Sequence, residues 1–159
     1  MTSLLIITSV EDLQDEINKQ VKDRSAYPGI YISLNKTQKS SEENLIKNNI
    51  KTDKIFFIDC VTAEKTKEDV LHILPNDLDK LSFAINTFVK DIKGKKYLVI
   101  DALSTLLIYN SENKVAAFVK KITEYTSNND VEVIAFSPKT KGEELLNKIF
   151  NFFDKVIKK

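Results

Sequence analysis

Five short apolar runs, separated by helical or turn-rich segments, limit this 159-residue chain to a small set of folds. Continuous apolar runs of this length are typical of strands that are buried on both faces of a parallel sheet. The predicted strands are Leu4–Thr8, Ile30–Leu34, Ile55–Ile58, Tyr97–Ile100 and Val131–Phe136. The alternation predicts an α/β fold with a mostly parallel sheet of five to six strands and helices on both faces.

The segments between the runs have the three- and four-residue apolar spacing of amphipathic helices. Ser40 and Ser41 are predicted to cap the second helix, and Asp77 the third. The predicted helices are Val10–Lys22, Glu42–Asn49, Leu78–Ile92, a helix that contains Val115–Tyr125, and Glu143–Ile157. The charged stretch Thr62–Asp69 is predicted to be a loop, and Val70–Leu74 a short extra strand.

Composition favours one soluble domain that spans residues 1–159. Hydrophobic residues make up 42% of the chain and charged residues 30%, which is a normal globular balance. The net charge of +1 provides no overall field that would attract nucleic acid or an anionic membrane. Cys60 is the only cysteine, no targeting segment is evident, and the apolar tract Tyr97–Tyr109 is too polar to span a bilayer. We therefore expect a cytoplasmic protein without a membrane partner.

Polar side chains stand where the predicted strands end. Because ligands of parallel sheets bind beyond the carboxyl ends of the strands, these residues are the candidate site. They are Thr8, Ser9, Asn35, Lys36, Asp59, Asp101, Ser104, Thr105 and Ser137. Asp59 and Asp101 on different strands, together with hydroxyl groups, could hold Mg²⁺. The alternative is that these side chains cap helices and satisfy turn amides.

Several segments resemble the RecA/KaiC superfamily, and more closely its small archaeal-type KaiC-like proteins. The similar segments are YISLNKTQKSSEENL, KIFFIDC, PNDLDKLSFAINTFV, KYLVIDALSTLLIYN and the final 29 residues from Val131. The resemblance implies a three-layer RecA-like fold. It identifies Asp101 as the counterpart of the Walker B aspartate that positions Mg²⁺ in active relatives. Asp101 is the only nucleotide-site residue that the resemblance supplies. Thr8, Ser9 and Asn35 join it as candidate nucleotide-binding residues because of their position at the strand ends.

The phosphate-binding loop of that superfamily is missing. Leu4–Gln14, where it would lie, contains neither the glycines that let backbone amides close around phosphates nor the lysine that neutralises them. Glu11 and Asp12 would instead repel a triphosphate. Asn35 and Lys36 follow the second predicted strand, where acids that activate water tend to lie in the family. We therefore predict a degenerate Walker A motif, no catalytic residue, no required cofactor and no hydrolysis by the family mechanism.

Three functions remain open at this point. The leading hypothesis is an inactive RecA/KaiC-like regulatory or protein-interaction module, which self-associates or docks on a RecA/KaiC-like relative. A second is a receiver-like phosphoryl switch that uses Asp59 and Lys139. A third is an accessory nucleic-acid-binding protein of the recombination type. The basic residues that would serve it are Lys90, Lys93, Lys95, Lys96, Lys139 and Lys141.

Overall fold

A computed structural model describes residues 2–61, 70–139 and 143–159. Its strands are β1 (Ser3–Thr8), β2 (Gly29–Ser33), β3 (Ile55–Asp59), β4 (Leu71–His72), β5 (Lys96–Asp101), β6 (Val131–Pro138) and β7 (Lys155–Lys158). Its helices are α1 (Val10–Asp23), α2 (Gln38–Lys47), α3 (Leu78–Asp91), α4 (Glu112–Ser127) and α5 (Glu143–Ile149). Leu103–Ile108 and Phe150–Phe152 form 3₁₀ helices. The strands make one sheet in the order β4-β3-β2-β5-β6-β1-β7, and every neighbouring pair is parallel.

Two apolar clusters, one on each face of the sheet, make the fold a three-layer α/β sandwich. Ile17 and Val21 of α1 and Leu45 of α2 pack with Tyr31 and Tyr97 on one face. Helices α3, α4 and α5 cover the other face with the larger cluster. The α/β class and the helices on both faces are thus confirmed. Among the described residues, no helix is both long and apolar enough to cross a bilayer.

The C-terminal segment was predicted wrongly. The expected helix Glu143–Ile157 ends at Ile149, and the chain continues through a 3₁₀ turn into β7, which makes the sheet seven-stranded. Val156 and Ile157 pack against opposite cores, as residues of a strand do. Strand β7 pairs with β1, and the Asp154 carboxylate accepts a 2.9 Å hydrogen bond from the Ser3 amide. These tertiary contacts override the helical spacing of the apolar residues.

Two smaller predictions also need correction. Helix α2 begins at Gln38 and is capped by the Thr37 hydroxyl, which accepts from the Ser40 amide at 3.2 Å. Ser41 lies inside the helix, and its hydroxyl is 2.7 Å from that of Ser33 on β2.

Strand β4 is only two residues long. The predicted loop Thr62–Asp69 lies outside the described residues. Asp77 caps α3 as predicted, since its side chain accepts from the Lys80 amide at 3.1 Å.

Gly29 begins β2 directly beneath the ring of Tyr97, its neighbour in register on β5. A Cβ atom at this position would lie 2.1 Å from Cζ of Tyr97. The tyrosine cannot swing away easily, because it is 1% exposed and its ring meets that of Tyr27 edge to face at 5.7 Å. The absence of a side chain at Gly29 therefore creates the space that Tyr97 fills.

Candidate functional site at the carboxyl edge of the sheet

The topology opens a crevice between β2 and β5. The connection from β2 leads to α2 on one face, whereas that from β5 leads through the 3₁₀ helix Leu103–Ile108 to α4 on the other face. The two connections therefore diverge from adjacent strand ends. Such a switch point is where open α/β sheets bind ligands. Asn35 and Thr105 lie here, and the Thr105 hydroxyl donates a hydrogen bond to Oδ1 of Asn35.

Asp101 ends β5 and is held by its neighbours. The Tyr31 hydroxyl donates to Oδ2 at 2.7 Å, and the Asn35 amide donates to Oδ1 at 3.2 Å. The backbone carbonyl of Asp101 accepts the amides of Leu34 and Asn35. The side chain is buried, and this burial raises the carboxyl pKa above 3.8, while the bond from Tyr31, the charge of Lys36 and the bond from Asn35 oppose the rise. Asp101 thus joins β5 to β2 and to the turn that follows it.

This raised pKa has a testable consequence for stability against pH. The native state holds the Asp101 proton more tightly than the unfolded state, so the group's contribution to stability falls as pH rises from its unfolded pKa through its native pKa. Asp101→Asn removes that titration. The free energy of unfolding of the wild type minus that of the variant should decrease with pH across the acid range and then level off. Urea titrations at stepped pH measure it, and parallel curves for the two proteins would refute it.

Asp59 is placed by a different set of bonds. It accepts the Gln38 amide at 2.9 Å and the Val61 amide at 2.8 Å, and it is 2% exposed. The Asp59 carboxylate thus satisfies the amide of the first residue of α2, as a capping side chain does. A phosphoryl acceptor must be accessible to the phosphate donor, so this buried environment favours the capping role.

The two aspartates proposed for Mg²⁺ lie on opposite sides of Ser33. Both pair in register with this residue, so β2 separates them. Within residues 2–61, 70–139 and 143–159, no three His, Cys, Asp or Glu side chains form a group that could hold a metal ion. The structure therefore provides separate carboxylates rather than a cluster.

Strand β1 passes into α1 through one residue, Ser9. The Ser9 hydroxyl caps the helix, because it accepts a hydrogen bond from the Asp12 amide at 3.3 Å. The same hydroxyl donates a hydrogen bond to Oδ2 of Asp12 at 2.9 Å. Glu11 and Asp12 occupy the first helical turn. Thr8 is 1% exposed, and its hydroxyl has no hydrogen-bond partner in the described part of the chain. Thr8 and Ser9 thus form a tight strand-to-helix turn.

The remaining polar candidates make local contacts. The Lys36 ammonium donates to Oε1 of Gln14 at 2.7 Å. Ser137 is buried at the end of β6, 3.5 Å from the Pro138 carbonyl. Lys96 is also buried and donates to the Gly94 carbonyl, while Lys95 lies 4.6 Å from the centre of the Tyr27 ring. Lys141 lies outside the described residues. Part of the proposed basic patch is therefore engaged in structural contacts.

A cavity of about 490 Å³ opens at this edge, and the lining residues that belong to the described ranges carry no charge. Its lining residues come from the ends of β1, β2, β3, β5 and β6 and the segments that follow them. They are Val10, Leu13, Leu34, Asn35, Cys60, Val61, Ser104, Thr105, Ile108, Tyr109 and Pro138. Sequence reasoning predicted Asn35, Ser104 and Thr105 at this edge but missed the apolar majority. The run LLIY that ends in Ile108 and Tyr109 was the available signal.

Four of the nine large hydrophobic side chains that are exposed in the described residues line this one cavity. Ile108 is 74% exposed, Val10 60%, Tyr109 54% and Val61 44%. We call these four residues the edge patch. Single exposed hydrophobic residues are ordinary, whereas a group of them around one concavity is typical of interaction surfaces and ligand-binding grooves.

Comparison with solved structures supports a RecA/KaiC-like fold. A KaiC-like protein from the hyperthermophilic archaeon Pyrococcus horikoshii aligns with a TM-score of 0.69 and 16% identity, over 99% of this chain and 70% of that chain. At this identity the likeness establishes the fold alone. No curated protein sequence matches the chain significantly. A family profile matches residues 2–159, and the chain accordingly belongs to the family of unknown function DUF7090.

Proposed function

We propose that this RecA/KaiC-like domain does not hydrolyse nucleoside triphosphates and acts as a regulatory protein-interaction module. The observation that carries the proposal is the carboxyl edge of the sheet. There β1 reaches α1 through Ser9 alone, and the described residues that line the adjacent cavity are uncharged and mostly apolar. The partner is a second copy of the chain or a RecA/KaiC-like relative.

The argument against triphosphate chemistry is electrostatic and geometric. A triphosphate needs consecutive backbone amides that close around it and a cation that offsets its charge. One amide at the start of α1, that of Asp12, is already bonded to the Ser9 hydroxyl, and the first turn adds two carboxylates. Lys36, the basic candidate that follows β2, donates to Gln14. We infer that the Walker A motif is degenerate in structure as well as in sequence.

The argument for a protein partner rests on the edge patch. Exposed apolar side chains around a shallow concavity are typical of the centre of protein interfaces, whose charged residues lie at the rim. Glu11, next to Val10, and Lys139, next to Pro138, are exposed at the margin of this surface. A hydrophobic centre with charges beside it therefore favours protein docking over phosphate binding.

Calorimetric titration of ATP and ADP with Mg²⁺ into the purified chain tests the proposal. We expect no binding heat, no thermal stabilisation by either nucleotide, and phosphate release at the rate of a protein-free control. Asp101→Asn is the matched variant, because it keeps the size of the side chain but removes its charge. Saturable binding of nucleotide that this variant abolishes would replace the inactive module with a nucleotide sensor.

A further inference from the structure

We propose that the cleft between α3 and α4 binds a small zwitterion, of which a free α-amino acid is the simplest example. The inference goes beyond the proposed function, because the described residues that line this cleft include none of those that line the cavity at the edge patch. The cleft has a volume of about 330 Å³, which suits a small ligand. Helix α3 contributes Leu78, Asp79 and Ser82 to its walls, and α4 contributes Lys114, Phe118 and Lys121.

Helices α3 and α4 run side by side in the same direction. Each follows a strand of the parallel sheet, and both pack on the same face. The side-chain amide of Asn110 donates to the Pro75 carbonyl at 2.9 Å, which joins the segment before α4 to the segment before α3. The two helices therefore start at the same level. Lys114 lies beside the first turns of α3, and Lys121 lies about 10 Å further along α4.

Ser82 is the residue that points to a ligand. It lies within α3, is 3% exposed and lines the cleft. Its hydroxyl forms no hydrogen bond with any described residue. A hydroxyl that is withdrawn from water without a partner destabilises the folded protein, so buried polar groups are nearly always hydrogen-bonded. A molecule bound in the cleft would supply the partner of Ser82.

The two walls of the cleft carry opposite charges. Asp77 and Asp79 lie at the start of α3, and Lys114 and Lys121 lie on one face of α4. The Asp77 carboxylate accepts the Lys80 amide, but these aspartates and lysines form no ion pair with each other or with any other described residue. A zwitterion fits such a cleft, because its ammonium group can face the aspartates while its carboxylate faces the lysines.

The same charges disfavour a ligand of a single sign. The two aspartates would repel a simple anion, and the two lysines would repel a simple cation. Between the lysines, α4 presents the small side chain of Ala117 and the ring of Phe118, which is 5% exposed. A carboxylate above Ala117 lies between the two ammonium groups, and an apolar side chain can pack on the ring. An α-amino acid with an apolar side chain combines these features.

Thermal-shift measurements with each protein-forming L-amino acid at millimolar concentration test the inference, followed by calorimetric titration of the most effective one. At least one apolar amino acid should raise the thermal midpoint and bind with a Kd below about 1 mM. Its amide lacks the carboxylate, and its N-acetyl derivative lacks the ammonium group. Each derivative should bind at least about tenfold more weakly, because hydrogen bonds to charged groups are the stronger ones.

Ser82→Ala and Lys121→Gln should each raise the Kd about tenfold, whereas Lys120→Gln, the matched control, should leave it unchanged. Lys120 is exposed on α4 and is not among the residues that line the cleft. Without ligand, Ser82→Ala should be at least as stable as the wild type in urea, because it removes a hydroxyl that lacks a partner. A hydroxyl that served only the fold would give lower stability and an unchanged Kd.

Three results would overturn the inference. One is that no amino acid binds more tightly than about 10 mM, in which case water alone satisfies Ser82. Another is that acetate, phosphate, the amide or the N-acetyl derivative binds as tightly as the amino acid. The third is binding that both Ser82→Ala and Lys121→Gln leave unchanged. The nucleotide titration is independent, so the absence of ATP hydrolysis stands or falls separately from this site.

Discussion

Gly29→Ala is expected to lower the free energy of unfolding by about 3 kcal/mol, the upper end of the usual cost of overpacking a core. The added Cβ would lie within 2.1–2.5 Å of three ring atoms of Tyr97. Since Tyr97 is fully buried and packed against Tyr27, the clash can be relieved only if strands β2 and β5 shift or the ring leaves its rotamer. Urea denaturation with circular dichroism measures the loss.

Gly94→Ala is the control for this substitution. A Cβ at Gly94 meets nothing within 4 Å, but the residue has φ of +85°, so alanine should cost only about 1–2 kcal/mol of backbone energy. The double variant Gly29→Ala/Tyr97→Leu should be less destabilised than the sum of its single variants, because leucine vacates the space of the ring. Additive losses, or equal losses at both glycines, would show that ring contact does not explain the effect.

Tyr31→Phe is expected to destabilise the protein by about 2 kcal/mol at neutral pH. The substitution leaves the buried Asp101 carboxylate without its 2.7 Å hydrogen bond, and an unmet charged acceptor costs more than a neutral one. Tyr109→Phe removes the same hydroxyl from a side chain that is 54% exposed, and it should change stability by less than about 0.5 kcal/mol. Denaturant titrations of both variants provide the comparison.

A double-mutant cycle with Asp101→Asn shows whether the two residues act together. We expect a coupling energy of about 1–2 kcal/mol, because an asparagine at position 101 has no full charge for the tyrosine to stabilise. Asp101 would then be an anchor between β5 and β2. If Tyr31→Phe instead lowers the free energy of unfolding equally in the wild type and in the Asp101→Asn variant, the hydrogen bond from Tyr31 does not hold Asp101 in place.

The five strands predicted from apolar runs are present because such runs are stabilised by burial in the sheet, although Ile55 and Phe56 of β3 remain partly exposed. The same reasoning failed at the C-terminus. There Leu145, Leu146, Ile149, Phe152 and Phe153 have helical spacing, yet α5 ends at Ile149. The pair Val156 and Ile157, β-branched and flanked by lysines, was a strand signal that helical periodicity obscured. What decides the outcome is pairing with β1, a contact across about 150 residues that no local pattern contains.

The candidate site was predictable in position but not in character. Strand ends can be read from a sequence, so Thr8, Asn35, Asp59 and Asp101 were found at the carboxyl edge. The hydrogen-bond partners of these residues could not be predicted, because they come from other elements. Tyr31 on β2 donates to Asp101 on β5, and the Gln38 amide at the start of α2 donates to Asp59 on β3. The edge patch was missed since its side chains come from three separate connections, each of which contributes only one or two of them.

The position of β1 between β6 and β7 has a consequence for the chain as it leaves the ribosome. Strand β1 is synthesised about 120 residues before either of its neighbours, because β6 starts at Val131 and β7 at Lys155. At about 5–20 residues per second, this apolar strand waits roughly 6–25 s for a partner. Throughout that time its backbone amides and its four consecutive residues Leu4–Ile7 are open to other nascent chains. The sheet is therefore completed only when β6 and β7 pair with β1, and β1 is the strand that most needs chaperone protection until then.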